Sequence, residues 1–144
     1  MTEYSWTYRV EDVDLEELSQ LYRIAPLGDM PPEELAVVFG NSMFTCFVHC
    51  DGVLVGAGRA LADGVDCAYI GHVAVHPDHQ GGGLGSSLVR RLMELAEGHK
   101  KIILYAAPGA EKFYRRLGFL PMNTAMGLWS NPDSAVESGV LSRA

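Results

Sequence analysis

Apolar side chains change their spacing twice along the chain. Between residues 15 and 39 they recur every three or four positions. Leu15, Leu18, Leu21 and Tyr22 form one stripe that stops at Pro26, and Leu35, Val38 and Phe39 form a second behind Pro31 and Pro32. This spacing predicts two amphipathic helices, the first capped by Asp12 or Asp14 and the second closed by Gly40. From 43 to 76 the period becomes two. Strands are expected at 43–50, 53–61 and 67–76, joined by an Asp51-Gly52 hairpin turn and a looser turn at Asp63-Gly64. A shorter alternating strand is expected at 6–10. The helical period returns at Gly83, with Leu84, Leu88, Leu92 and Leu95 inward, Arg90, Arg91, Glu94 and Glu97 outward, and Gly98 past the end.

Beyond this helix, Lys101 to Ala106 has the composition of a strand buried on both faces. Pro108-Gly109 opens a short helix ended by Gly118, and strands are expected near 119–122 and 125–129. Residues 130–144 lack a periodic apolar pattern and are expected to be a flexible C-terminal tail. The order of elements predicts an α+β fold: a mixed, mostly antiparallel central sheet flanked by helices, as one domain over 1–129. With 144 residues the chain is long enough to bury a real core.

Composition narrows the function. The net charge of −7 argues against nucleic-acid binding, which needs a basic surface, and leaves a cationic small molecule open. No stretch approaches the ~18 continuous apolar residues of a membrane span, and residues 1–6 hold no basic segment leading an apolar run. A cytoplasmic protein with no membrane partner is expected. Cys46, Cys50 and Cys67 all lie in apolar strand-like segments, which suits structural thiols in a reducing compartment. His72 and His76 alone do not make a metal site, so no metal is expected.

The strongest chemical signal is the run from Val73 to Gly85, in which Val-Ala-Val-His-Pro-Asp leads into Gln80, Gly81, Gly82, Gly83, Leu84 and Gly85 and then an amphipathic helix. Glycines bring backbone N–H groups close to a ligand, and a helix start offers unpaired N–H groups and positive dipole charge. The combination is a cradle for a phosphate or pyrophosphate. A Walker loop is excluded because no Lys-Ser or Lys-Thr follows the last glycine. A dinucleotide fingerprint is excluded by the glycine spacing and by the preceding meander.

Gln80-x-x-Gly83-x-Gly85 after a Val-x-Val-x-Pro strand resembles the coenzyme A loop of the GCN5-related N-acetyltransferases. About 25 residues on, Ala110-x-x-Phe113-Tyr114-x-x-Leu117-Gly118-Phe119 is similar to that family's later helix-and-turn motif. The resemblance covers 43–129 well and 7–40 only as two leading helices. It implies that the strands at 67–76 and 101–106 run parallel and splay at their C-terminal ends. Val73, Ala74 and Val75 would then bond the pantetheine arm of acetyl-CoA, and the N–H groups of Gly81, Gly83, Gly85 and Ser86 would hold the pyrophosphate. Gln80, Gly82, Leu84, Tyr105 and Phe113 are the other cofactor-binding positions implied.

The resemblance also gives Tyr114 the role of general acid toward the leaving thiolate. Its other reading is a core aromatic beside Phe113 and Leu117. His72 is the candidate base, since imidazole is poised for proton transfer near neutral pH; its other reading is a hydrogen-bonded core histidine. Relatives often carry an acidic residue near His72, and Asn where this chain has Ala107; both are departures. The stretch from Tyr105 to Trp129 is most similar to bacterial and plastid members, some of which acetylate arylalkylamines such as serotonin. The function implied is transfer of acetyl from acetyl-CoA to a primary amine of arylalkylamine or polyamine type. A protein N-terminus or lysine as acceptor, and a non-catalytic acyl-CoA-sensing module, are the alternatives. A homodimer is compatible with the resemblance.

Overall fold

A computed structural model describes residues 3–144. The chain divides after Leu104 into two compact units. The first holds a five-stranded sheet in the order β1-β2-β3-β4-β5, with β1 at Tyr4–Thr7, β2 at Phe44–Cys50, β3 at Val53–Ala62, β4 at Cys67–Val75 and β5 at Lys101–Ile103. All neighbours are antiparallel except β4 and β5, which are parallel. The mixed, mostly antiparallel sheet with flanking helices is the α+β arrangement expected.

Alternate residues of the sheet serve opposite faces. Phe47, Leu54, Ala57 and Ala74 pack with Leu18, Leu21 and Tyr22 of α1 (Leu15–Ile24) and with Leu35 and Phe39 of α2 (Pro32–Gly40). Their neighbours Val48 and Val55 pack with Leu84 at the start of α3 (Leu84–Leu95). Leu84, Leu88, Val89 and Leu92 of α3 are buried, each worth about 1.5–3 kcal/mol of hydrophobic stabilisation. Space for α3 is made by small residues: a Cβ on Gly58 would stand 2.8 Å from Leu92 Cδ1. Asp14 fixes the start of α1 by accepting from the N–H groups of Glu16 and Glu17.

Several boundaries differ from the sequence pattern. The first strand lies at Tyr4–Thr7, paired from Tyr4↔Cys50 to Thr7↔Phe47, and Val10–Asp12 form a single helical turn instead of its end. β5 is shorter than the expected 101–106.

The second unit, from Tyr105 onward, contains α4 (Glu111–Arg116) and α5 (Pro132–Glu137). Gly118 takes φ 102° just past α4. The strands expected at 119–122 and 125–129 do not form among the described residues. Pro121 lacks an N–H for a ladder, and Met126 and Leu128 are 98% and 100% exposed, so alternation here buries no apolar face. The stretch read as a tail contains α5, capped by Asn131 Oδ1 accepting from Ser134 N–H at 3.2 Å, with Ala135 buried. An Asn-Pro pair at a cap and first helical position was the available signal.

Candidate active site

The turn after β4 is built from its own side chains. His76 Nδ1 accepts from the N–H of Asp78 at 3.1 Å and caps the single turn Pro77–His79. Gln80 Nε2 donates to the carbonyl of Val75 at 3.0 Å, tying the loop back to the strand end. His79 Nδ1 lies 3.0 Å from Tyr4 Oη, so this ring is held against β1. Gly81 and Gly83 then take φ 84° and 88°, a left-handed backbone that costs a residue with a Cβ roughly 1–2 kcal/mol.

Gly83 is the N-cap of α3, and the first i→i−4 donor is Ser87 N–H, bonding Gly83 at 3.1 Å. The N–H groups of Leu84, Gly85 and Ser86 therefore have no acceptor within the helix. No side chain caps them, and a Cβ at Gly81, Gly82 or Gly83 would meet nothing within 4 Å. The loop is an open cradle of donors at a helix start, which fits a pyrophosphate.

Beside it the sheet opens. β4 and β5 are paired only from Cys67↔Lys101 to Tyr69↔Ile103. β4 continues to Val75, bonded to β3 through Ala57↔Ala74 and Gly56↔Val75. Past Tyr69, the ladder on its other edge ends, leaving backbone groups on the Val73–Val75 stretch available to an extended ligand. A groove of backbone donors and acceptors leading to a phosphate cradle is what an acyl-coenzyme A needs.

His72 sits in a bulge on this strand. Arg59 pairs with Gly71 and Ala57 with Ala74, so His72 and Val73 together oppose Gly58. His72 has φ 53°, in the left-handed region. The bulge moves the chain out of simple alternation. Gly71 shares a face with Arg59, and the next residue, His72, turns to that same α1 and α2 side. Buried Tyr22 packs edge-on to the imidazole, ring centroids 5.7 Å apart, and donates its hydroxyl to the His72 carbonyl. Desolvation raises the Tyr22 pKa, which keeps it a donor.

Arg59, itself buried, donates Nε–H to His72 Nδ1 at 2.8 Å and an NH1 proton to Ser42 Oγ at 3.3 Å. Burial first, and the Arg59 charge second, push the His72 pKa down to about 4. The imidazole is therefore neutral at pH 7, with Nδ1 engaged as an acceptor. Sequence reasoning named neither Arg59 nor the polar use of Tyr22. The signal for Arg59 was a lone cation within the apolar strand Val53–Ala62.

The second unit carries the other candidates. Tyr114 lies on α4, half-buried between Phe113 and Phe119, with ring centroids 4.9 and 5.9 Å away. Burial raises its pKa, so the phenol holds its proton through neutral pH. Tyr105 stacks edge-on to Trp129 at 5.4 Å and is 55% exposed.

A cleft of about 530 Å³ opens on the β1–β2 side of the turn, lined by Glu3, Asp51, Asp78, His76 and His79 among others. Three carboxylates make it unsuited to the phosphates of a cofactor. Among the described residues no three His, Cys, Asp or Glu side chains are placed to hold a metal ion. Cys46 is buried and its thiol is pushed up to about 12, which makes it inert.

A sheet that opens at a parallel pair beside a helix-start cradle defines the class: an acyltransferase that draws on acyl-coenzyme A. The sequence model of the Acetyltransferase (GNAT) family matches residues 7–119, and the chain belongs to that family. It is 30% identical over 116 residues to an uncharacterized N-acetyltransferase, ycf52, of Pyropia yezoensis, covering 76% of this chain and 67% of the relative. It is 31% identical over 143 residues to glucosamine 6-phosphate N-acetyltransferase 1 of Oryza sativa subsp. japonica, covering 85% and 87%. A solved GNAT-family acetyltransferase of Streptococcus pneumoniae superposes with a TM-score of 0.76 at 23% identity, covering 90% of this chain and 98% of that one, and shares the fold. The protein is an acetyltransferase, and its family uses acetyl-CoA.

Proposed function

We propose that this enzyme transfers acetyl directly from acetyl-CoA to the primary amine of a small molecule. The observation that carries the reading is the glycine cradle at 81–86 joined to the open edge of β4. In this reading the N–H groups of Gly81, Gly83, Gly85 and Ser86 hold the pyrophosphate, and Val73, Ala74 and Val75 bond the pantetheine arm. The amine nitrogen attacks the acetyl carbonyl carbon, the carbon–sulfur bond breaks, and the departing thiolate takes the proton of Tyr114. The proton released from nitrogen is lost to solvent and the phenol is recharged from there. A backbone N–H on β4 steadies the oxygen as charge develops. The raised pKa of Tyr114 suits an acid that must still carry its proton at neutral pH.

His72 is proposed as an acceptor-side residue. Its surroundings disfavour the role of base, because a proton added to a ring already bonded by Arg59 would be buried beside a cation. The rice relative's name points to a small-molecule amine as substrate class. The arylalkylamine acceptor rests on the resemblance of the Tyr105–Trp129 stretch alone.

Thiol release from acetyl-CoA, measured against arylalkylamines, polyamines, amino sugars, and peptides bearing a free N-terminus or lysine, tests the proposal. Turnover confined to small amines supports it. Turnover on peptides alone would reassign the acceptor. Coenzyme A binding without turnover on any amine would leave an acyl-CoA sensor.

A further inference from the structure

The network under the β4 bulge decides which nitrogen of His72 faces a ligand. We infer that Arg59 is a positioning residue: by donating to His72 Nδ1 it fixes the imidazole as the Nε2–H tautomer, so that His72 offers the bound acceptor or thioester a hydrogen-bond donor and no basic lone pair. The inference rests on the acetyltransferase reading above and deepens it.

Guanidinium has donors only, so a 2.8 Å Arg59 Nε to His72 Nδ1 bond requires a bare lone pair on Nδ1. In a neutral ring the hydrogen must then sit on Nε2. The ring cannot turn over freely. Tyr22 packs edge-on against it and also holds the His72 carbonyl, while the second donor of Arg59 is anchored on Ser42, whose hydroxyl in turn donates to Val38 at 2.8 Å. Tyr22 from α1 and Arg59 from β3 thus meet on the His72 ring, and Ser42, just past α2, anchors Arg59 in turn.

Among the described residues His72 Nε2 makes no hydrogen bond, and the one fully buried side-chain polar atom without a partner is Thr7 Oγ1, so the Nε2 edge of this half-buried ring is not sealed in the core. The charged neighbour that acts on His72 is Arg59, and it opposes protonation along with burial. The left-handed φ of 53° at His72 is a local strain that the Tyr22 bond maintains, which is the kind of outlier a functional site retains.

Long-range proton–nitrogen correlation spectra of the ¹⁵N-histidine-labelled protein test this directly, with His72→Gln assigning the signal. The expected pattern is bare Nδ1 and protonated Nε2, unchanged between pH 8 and pH 5.5. An Nδ1–H pattern, or a ring that gains a second proton near neutral pH, would overturn it. Neither result depends on turnover, so a protein that acetylates no amine would defeat the proposed function and leave this measurement standing.

Kinetics give the second arm. Gln places an N–H near the position of Nε2 but has no base, so His72→Gln is expected to lower kcat by up to about tenfold and His72→Ala, which has no donor, by more. A loss of ~10²–10⁴ in His72→Gln, the range of general base catalysis, refutes the donor role. Arg59→Met is expected to release Nδ1, letting His72 titrate at higher pH and adding an acid limb to the kcat/KM profile that Arg59→Lys suppresses. An unchanged His72 titration in folded Arg59→Met would refute Arg59 as the positioning residue.

Discussion

Replacing two adjacent glycines of the cradle by alanine separates the strain of the loop from its use. Gly83 has φ 88°, whereas Gly82 does not have a left-handed φ, and a Cβ on either meets nothing within 4 Å. Sterics with neighbours are therefore equal, and only backbone conformation distinguishes the two. Gly82→Ala restricts the unfolded chain at a compatible position and should be neutral or stabilising by about 0.4–1 kcal/mol. Gly83→Ala must either hold a left-handed residue, at about 1–2 kcal/mol, or let the loop relax.

If the loop holds, the cost appears as stability, a fall of roughly 3–8 °C in Tm for a chain of this size. If it relaxes, coenzyme A must rebuild the cradle, and the same energy appears as a roughly 5–30-fold weaker Kd. Thermal scans without ligand and calorimetry with coenzyme A measure both parts. Their sum for Gly83→Ala should come to about 1–2 kcal/mol, with Gly82→Ala showing no thermal loss. Equal destabilisation by the two substitutions would refute the conformational argument, and wild-type stability together with wild-type affinity in Gly83→Ala would refute the cradle.

Tyr114→Phe should lower kcat by about 10²–10⁴ while leaving coenzyme A affinity within a few-fold; unchanged turnover under saturating acetyl-CoA would remove it as the acid. His72 makes stability depend on pH with a defined sign. Its folded pKa of about 4 lies below the ordinary 6.5, so its contribution is present above 6.5 and is lost as pH falls toward 4. The loss is at most about 3 kcal/mol for this half-buried ring, from 1.36 kcal/mol per pKa unit. Urea unfolding at pH 7 and pH 4.5 should show a steeper fall for the wild type than for His72→Gln; parallel falls would contradict it.

Much of the fold was legible because its signals are local. The Asp51-Gly52 turn, the stripe of α3 and the glycines at its start each act through neighbours a few residues away, so their positions carried over with shifts of one or two residues. The same locality made the cradle readable: left-handed glycines and unpaired helix N–H groups are properties of a short segment.

His72 was legible as a residue of interest but its chemistry was not. Its tautomer depends on Arg59, 13 positions away on another strand, and its backbone on Tyr22, 50 positions away. Strict alternation puts His72 on the face of Ala74, but it carries no sign of the bulge that sets Gly71 opposite Arg59 and leaves His72 with a left-handed backbone. In the same way the 119–129 stretch alternates like a strand, yet strand formation requires a partner and a buried face, and it has neither.

By itself, then, the sequence determined the family, the fold class and the glycine loop that opens α3, because helix periods, turn residues and left-handed glycines are set by short-range sterics. Only the tertiary structure decided the charge and tautomer of His72 and which alternating segments become strands. Those outcomes depend on desolvation and on pairing between residues distant in the chain.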